Sequence, residues 1–367
     1  MVLADDLRII TYTDTQTRRL EVISQIVKII GKKQIPIELL KNQIVIWSHN
    51  LEKSSPNYKL KKGRLTNEGK KTRAFEKYIS LMKEMKIIHQ LGSMVSLTTI
   101  GSILFRLIED KKDDTFDLTL GEKAFYLYIF FSQDSDYFIL PIDILIKSNT
   151  ELLQKDFQNL FKKSILNRLE VKYKHVDKKI GAKIGQRKLT ISSNWKNAYS
   201  YSEHLLAPRL EWLTDLSIIR RNGKYYDLTD KGRMLHINLL KFKSEEFTIS
   251  DINSNWLNSS IFHTIRYLFP DSFEFFKTLS IEKKKNLIGD LLEKSTKLFR
   301  SGSALRISLI PTYLYTSLQM FSFYNIIVEF NDIKELLDKE FEYNQRRYRL
   351  KSSARMNEGY ITIKLLT

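Results

Sequence analysis

The fold of this chain is decided by a pattern that occurs twice, as MKEMKIIHQLGSMVSLTTIGSIL at residues 82–104 and as LTDLSIIRRNGKYYDLTDKGRML at residues 213–235. The two stretches align without a gap at an offset of 131 residues (218 − 87 = 131). The residues shared by both copies are the pairs Ile87/Ile218, Ile88/Ile219, Gly92/Gly223, Leu97/Leu228, Thr98/Thr229, Gly101/Gly232 and Leu104/Leu235. Each copy predicts the end of an apolar helix, a β-hairpin with a Gly-containing turn, and a second helix that begins after Leu-Thr.

Each shared residue type has a structural reason to stand where it does. Glycine at the turn permits a positive φ, so two strands can reverse direction within a few residues. A threonine just before a helix accepts a hydrogen bond from the first turn. The Ile-Ile pair anchors the first strand of the hairpin to the core. The pattern therefore predicts a repeated scaffold and does not by itself predict a function.

The bulk composition of the 367 residues describes a globular and strongly basic protein. A hydrophobic content of 43% and an aromatic content of 12% suffice for two or three domains with real cores. The chain has 60 Lys and Arg against 42 Asp and Glu, a formal charge of +18. Such an excess attracts polyanions. A generally Lys-rich composition is the alternative explanation, and a membrane surface is a weaker one because no basic amphipathic anchor is evident.

The chain contains no cysteine, which excludes disulfides, thiolate nucleophiles and zinc-thiolate sites. We therefore expect a cytoplasmic protein in a reducing compartment. The N-terminal sequence MVLADDLRII does not read as a signal peptide, and no window of about 18 uninterrupted apolar residues predicts a membrane span. We predict no cofactor and no bound metal.

The predicted fold class is mainly α with small β-hairpins. The predicted domains are 1–112, 113–243 and 244–367. Helices are predicted at 15–31 with Gly31 as the C-cap, at 35–47, 74–88, 99–108 and 152–166, after a capping box formed by Thr119 and Glu122, and at 332–342. Residues 168–191 predict two strands that flank a Lys-rich hairpin loop, and residues 346–364 predict a second basic hairpin.

Four clusters of Lys and Arg lie on segments predicted to be loops or hairpins. We predict that they contact DNA phosphates, although a solvated surface loop is the alternative for any one cluster. The predicted DNA-binding residues are Lys61, Lys62, Arg64, Lys70, Lys71 and Arg73; Lys178, Lys179, Lys183, Arg187 and Lys188; Arg220, Arg221 and Lys224; and Arg346, Arg347 and Arg349. The first hairpin has almost no charge, so the second is the better candidate. Replacing Arg220, Arg221 and Lys224 with Ala should weaken DNA binding and leave stability nearly unchanged.

The two copies resemble the winged-helix superfamily of DNA-binding domains. This resemblance implies a three-helix core with a hairpin "wing", and double-stranded DNA as the partner. It also implies that the helix before the wing enters the major groove while the wing lies along the backbone. Tandem winged-helix domains are therefore expected. The C-terminal third resembles a further wing, but it lacks the Leu-Thr-x-x-Gly signature.

Three functional hypotheses follow. The first is a non-catalytic, tandem winged-helix protein that binds double-stranded DNA as a prokaryotic regulator, a replication initiator, or the DNA-recognition subunit of a defence or chromosome-maintenance complex. The second is a winged-helix interaction scaffold with a protein partner, such as an ATPase or SMC-like subunit; a homodimer is also open. The third is a diverged metal-dependent nuclease that uses Asp156, Glu170 and Lys172.

Overall fold

The computed structural model describes residues 6–54, 65, 74–111, 116–194, 198–241, 252–269, 272–299, 305–338, 341–351 and 359–366. Within these ranges the chain is mainly helical with small, mostly antiparallel sheets, so the predicted α+β class is confirmed. None of the described helices is long and apolar enough to cross a membrane.

Short strands interrupt a series of helices along the chain. The helices are α1 Leu20–Ile30, α2 Ile37–Ser54, α3 Ala74–Glu84, α4 Thr99–Ile108, α5 Leu120–Gln133, α6 Ser135–Phe138, α7 Leu140–Ser148, α8 Gln154–Tyr173, α9 Lys178–Leu189, α10 Ala198–Asp215, α11 Asp230–Lys241, α12 Ser254–Ser259, α13 Ile261–Ile265, α14 Ile281–Phe299, α15 Leu309–Tyr324 and α16 Phe330–Asp338. The strands are β1 Ile35–Pro36, β2 Ile88–Leu91, β3 Met94–Leu97, β4 Leu152–Leu153, β5 Ile219–Asn222, β6 Tyr225–Leu228, β7 Glu274–Phe275, β8 Arg306–Ser308, β9 Ile326–Ile327, β10 Phe341–Tyr343, β11 Arg346–Lys351 and β12 Tyr360–Leu365.

Three of the described sheets share one arrangement. In the orders β1-β3-β2, β4-β6-β5 and β8-β12-β11, a short early strand pairs with the second strand of a hairpin that follows later in the chain. All of these pairings are antiparallel, and the third sheet carries β10 as an additional edge strand. The C-terminal third therefore repeats the topology of the first two units although it lacks their Leu-Thr-x-x-Gly signature.

The signature residues are fixed by close backbone packing at the start of the helix after each hairpin. The hydroxyls of Thr98 and Thr229 accept hydrogen bonds from the N–H groups of Gly101 and Gly232, at 3.1 and 3.0 Å. A Cβ at either glycine would lie far inside the van der Waals radius of an isoleucine carbonyl oxygen at the preceding strand. Only glycine fits there, so the predicted caps are confirmed and the repeat has a steric cause.

The prediction of a hairpin over 168–191 is wrong, because these residues form the end of α8 and the whole of α9. Val171, Tyr173 and Val176 favour strands by their residue type. The helix α9 nevertheless begins at an N-cap, where the Asp177 side chain accepts a hydrogen bond from the Ile180 N–H at 2.9 Å. Ile180 and Ile184 then lie one turn apart and are both buried. This helical spacing outweighs the β propensity of the residues before it.

Other predicted boundaries need smaller corrections. The helix predicted at 35–47 begins at Ile37, after the two-residue strand β1, and continues to Ser54. The helix predicted at 332–342 is Phe330–Asp338, because residues 341–343 form a strand. The capping box of Thr119 and Glu122, the C-cap at Gly31 and the C-terminal hairpin are confirmed.

The buried apolar side chains form one continuous cluster, which runs from Ile10 to Ile363 through the central helix α5. The predicted domain boundaries at 112/113 and 243/244 lie outside the described residues. The N-terminal segment crosses this assembly. The backbone N–H groups of Thr11 and Tyr12 donate to Glu84 on α3, and the Arg8 guanidinium donates to the carbonyl of Ile252.

A buried ion pair lies where the N-terminal segment meets the centre of the fold. The Arg209 guanidinium binds both carboxylate oxygens of Asp134, at 2.8 and 2.7 Å, and both side chains are fully buried. The Ile10 N–H donates a third bond to the same carboxylate at 2.8 Å. Burial nevertheless raises the pKa of Asp134 to about 6, while Arg209 and the Ile10 N–H work against this rise.

Candidate nucleic-acid interface

The second hairpin, formed by β5 and β6, carries the predicted contact residues Arg220, Arg221 and Lys224. Gly223 at its tip has a φ of +62°, which confirms the expected turn glycine. Arg220 is 62% exposed and lies 2.7 Å from Asp227, while Lys224 is exposed at the tip. Arg220 and Lys224 are therefore accessible to a phosphate, although Asp227 offsets part of the charge of Arg220.

Arg221 has a different environment from Arg220, its neighbour on the same strand. Its side chain is only 19% exposed and its Nη1 lies 2.9 Å from Oε1 of Glu211, a buried residue of α10. The Tyr226 hydroxyl donates to the same oxygen at 3.1 Å, and Arg19 binds the other carboxylate oxygen at 2.6 Å. Arg221 therefore compensates a buried carboxylate, which contradicts the prediction that the wing-tip arginines are dispensable for stability.

The predicted cluster between Lys178 and Lys188 lies on the helix α9 instead of on a hairpin loop. Lys178 and Lys179 are exposed in its first turn, and Lys183 is exposed one turn later at 3.3 Å from Asp6. Arg187 donates to the Tyr137 hydroxyl at 3.0 Å, and Lys188 forms an ion pair with Glu170. The first three lysines remain accessible, whereas Arg187 and Lys188 are half-buried and bound to neighbouring side chains.

The predicted contact residues Arg347 and Arg349 lie on the C-terminal sheet and belong to a larger basic surface. Along β11, Arg347, Arg349 and Lys351 alternate with the buried Tyr348, so their side chains leave the same face of the sheet. The register places Lys364 beside Arg347. We call the surface formed by Arg306, Arg347, Arg349, Lys351 and Lys364 the C-terminal basic face.

The neighbouring strand β8 completes this face. Thr362 on β12 pairs with Arg349 on one side and with Arg306 on the other, so three strands carry one continuous surface. The guanidinium of Arg306 lies 5.8 Å from the ring centroid of Tyr360. Glu342 on β10 lies 2.6 Å from Arg347 and offsets part of the charge of this surface.

Arg346, the remaining predicted residue of this group, does not belong to the face. It has the opposite alternation to Arg347 and lies 3.8 Å from Glu293 on α14. The predicted contact residues did not include Arg306 or Lys364. The alternation of the sequence YITIK indicates the face on which Lys364 lies. The position of Arg306 depends on the pairing of β8 with β12, which joins residues more than 50 positions apart and has no local signal in the sequence.

The helices that precede the three hairpins do not offer basic faces. In α10, the residues from Leu205 to Leu213 are buried, so this part of the helix cannot enter a DNA groove without unfolding its surroundings. On α3, Glu76 pairs with Lys41 and Lys77 pairs with Asp14. On α16, the charged residues are mainly acidic: Asp332, Lys334, Glu335 and Asp338. The expected major-groove role of the helix before the second wing is therefore not compatible with the burial of α10.

The predicted residues Lys61, Lys62, Arg64, Lys70, Lys71 and Arg73 lie outside the described residues. Asp156 and Glu170, the carboxylates of the nuclease hypothesis, both lie on α8 and are separated by about 21 Å along its axis. These two side chains cannot share one metal ion, and Lys172 is buried against Asp136 at 2.6 Å. Across the described part of the chain, no group of three or more His, Asp or Glu side chains has a metal-binding arrangement.

The predicted contact residues therefore separate into accessible cations and structural ones. The accessible cations lie on α9, on the tip of the second hairpin and on the C-terminal basic face, while Arg221, Arg187 and Arg346 serve contacts within the protein. Comparison of the chain with protein-family models, curated proteins and solved structures found no match.

Proposed function

We propose that the protein binds double-stranded DNA without catalysis, mainly through the phosphate backbone, and that its three sheet-containing units are winged helices. The observation that carries the proposal is the C-terminal basic face, where five cations lie side by side on three adjacent strands. Phosphate contacts by Lys and Arg provide most of the affinity of sequence-independent DNA binding.

The winged-helix assignment is supported by the order of elements. A winged helix has a helix, a short strand, two further helices and a hairpin whose second strand pairs with the short strand. The order α1-β1-α2-α3-β2-β3 follows this scheme. The last unit follows it as α14-β8-α15-α16-β11-β12, with β10 added at the edge of its sheet and β9, which pairs with β7, inserted between α15 and α16. The middle unit follows it with α9 inserted between α8 and α10.

The mode of binding should be weakly sequence-specific. Base edges are normally read by side chains inserted into the major groove, whereas phosphate contacts carry no direct sequence information. Because α10 is buried and α16 is acidic, the available contacts are those of the basic surfaces. This mode suits a DNA-holding subunit of a larger prokaryotic complex, including a defence or chromosome-maintenance complex, better than a regulator that reads an operator.

The proposal is tested by fluorescence anisotropy with a random DNA duplex across a salt series. If the C-terminal basic face makes four phosphate contacts, the slope of log K against log salt is about −3.6, a loss of about 150-fold in affinity between roughly 50 and 200 mM salt. The triple variant R306A/R349A/K364A should reduce the slope by about 2.7 and the affinity at roughly 0.1 M salt by about 500-fold.

The matched control removes the same charge elsewhere. K33A/K163A/K285A replaces three exposed lysines in three separate parts of the chain, and we expect its affinity to change by no more than about threefold. Equal losses for both triple variants would show that only net charge matters. Absence of binding at low salt would refute the proposal.

An interaction scaffold is the second candidate, and one observation favours it. Met234, Ile237 and Leu240 are exposed large apolar residues on one side of α11. Such a stripe is typical of a helix that packs against a partner or a second copy of the chain. A scaffold would show a flat salt dependence with DNA, whereas a homodimer formed through α11 would be lost in M234E/I237E when measured by analytical ultracentrifugation.

A further inference from the structure

A cleft separate from the basic surfaces lies between α14, α15 and the end of α4. Its volume is about 440 Å³, which is within the range of sites for small organic ligands. The cleft joins the first unit of the chain to the C-terminal unit, since α4 follows the first hairpin and α14 and α15 belong to the last sheet-containing unit.

Two aromatic rings border the cleft and remain accessible. Phe323 is 61% exposed and Tyr324 is 46% exposed, and both lie at the end of α15. Large apolar rings are seldom left in water at adjacent positions unless something packs on them. A planar heteroaromatic ring can stack on such side chains.

Two cations of the cleft lie one turn apart on α14. Lys294 and Lys297 are both exposed, and their spacing of three residues places them on the same side of the helix. Two ammonium groups so arranged suit a phosphate or diphosphate group, because each can contribute donors to the same cluster of oxygens.

The inner part of the cleft contains a polar atom without an acceptor. Nη1 of Arg106 binds both oxygens of Glu109, at 3.0 and 2.8 Å, but its Nε is buried and has no acceptor among the described residues. Tyr315 lies in the same wall, and burial raises its pKa to about 12, so its phenol stays a donor. The carboxylates of Glu109 and Asp110 supply acceptors beside these donors.

We propose that this cleft binds a nucleoside phosphate. The two rings would stack on the base, Lys294 and Lys297 would bind the phosphates, and the carboxylates of Glu109 and Asp110 would accept hydrogen bonds from sugar hydroxyls or an exocyclic amine. The site is distinct from the C-terminal basic face, so a nucleotide bound here does not depend on the proposed DNA contacts.

The test is a titration of the full-length protein with an N-methylanthraniloyl nucleoside diphosphate, followed by fluorescence anisotropy. F323A should weaken binding roughly fivefold or more, because base stacking on one aromatic side chain contributes at least about that factor. K294A/K297A should weaken it at least about tenfold. The control K285A removes a charge from the opposite side of the same helix, nine residues from Lys294, and should change the affinity by less than about twofold.

Three results would overturn the proposal. They are the absence of saturable binding up to about 1 mM nucleotide, an equal loss in K285A and K294A/K297A, and competition by inorganic pyrophosphate as strong as that by the unlabelled nucleotide. R306A/R349A/K364A should retain nucleotide binding. If that variant loses DNA binding only, the two proposals stand independently, whereas loss of nucleotide binding there would show that the nucleotide merely occupies the basic face.

Discussion

The neighbouring arginines Arg220 and Arg221 of the second hairpin provide a direct test of the distinction between accessible and structural cations. R220A and R221A remove the same side chain from adjacent positions of β5, and thus the same charge from the protein. Arg220 is 62% exposed beside Asp227, while Arg221 is 19% exposed against Glu211. We expect R220A to weaken DNA binding with little effect on stability, and R221A to lower stability.

The size of the stability loss expected for R221A follows from the buried charges that remain after Arg221 is removed. Glu211 and Asp215 are almost fully buried and are neutralised by Arg19 and Arg221. Removing one partner of a buried pair costs about 3–5 kcal/mol, and we reduce this to about 2 kcal/mol because Arg221 is partly exposed and Glu211 keeps other donors. An exposed pair contributes at most about 1 kcal/mol, so R220A should cost no more than that.

The free energy of unfolding is measured by urea denaturation, followed by circular dichroism. For a chain of this length, a loss of about 2 kcal/mol lowers the melting temperature by about 3 °C. The double variant E211Q/R221A leaves Arg19 balanced by Asp215. Its free energy of unfolding should therefore be higher, by about 1 kcal/mol or more, than the sum of the losses in E211Q and R221A predicts. Equal stabilities of R220A and R221A would refute the assignment of Arg221 to the buried cluster.

Two further predictions concern stability. G232A should destabilise the protein by about 1–3 kcal/mol or more in urea unfolding, because its Cβ would overlap the Ile218 carbonyl oxygen. G185A should instead stabilise α9 by about 0.5–1 kcal/mol, because a Cβ there meets nothing within 4 Å. Stability changes of the same sign in both variants would contradict the steric argument. The folded-state pKa of Asp134, about 6, lies above its unfolded value of about 3.8. The stabilisation from this group is therefore complete below pH 3.8 and is lost as the pH rises through 6. The free energy of unfolding should fall by about 3 kcal/mol over this range. D134N should abolish this component of the pH dependence between pH 4 and 7, and an unchanged pH profile would contradict it.

The parts of the fold that the sequence predicts are those with a local signal. Gly92 and Gly223 have φ values of +58° and +62°, and each threonine of the signature caps the helix that follows. The hairpin prediction over 168–191 fails because Lys and Arg separate the apolar residues of this segment. The apolar pattern of the sequence is then compatible both with the two-residue period of a strand and with the four-residue spacing of a helix. The cap at Asp177 resolves that ambiguity in favour of a helix.

The candidate site is less predictable because it depends on pairings between distant strands. Arg347 and Arg349 lie on a predicted hairpin and are basic in the sequence, but nothing near Arg306 indicates that β8 will pair with β12. The role of Arg221 is equally hidden, because the carboxylate that it compensates comes from α10 and is shared with Arg19 from the N-terminal segment. Charge counts along the chain therefore overestimate the number of cations that remain accessible.

The distribution of charge differs from the distribution of the repeated signature, and this difference bears on function. The first hairpin has the signature but presents His89 and Gln90 where the second presents Arg220 and Arg221. The third unit lacks the signature yet carries five cations on one face of its sheet. Hairpin geometry is set by backbone packing, whereas attraction to DNA is set by local net charge. The hairpin that looks least like a wing in sequence should therefore contribute most to DNA affinity.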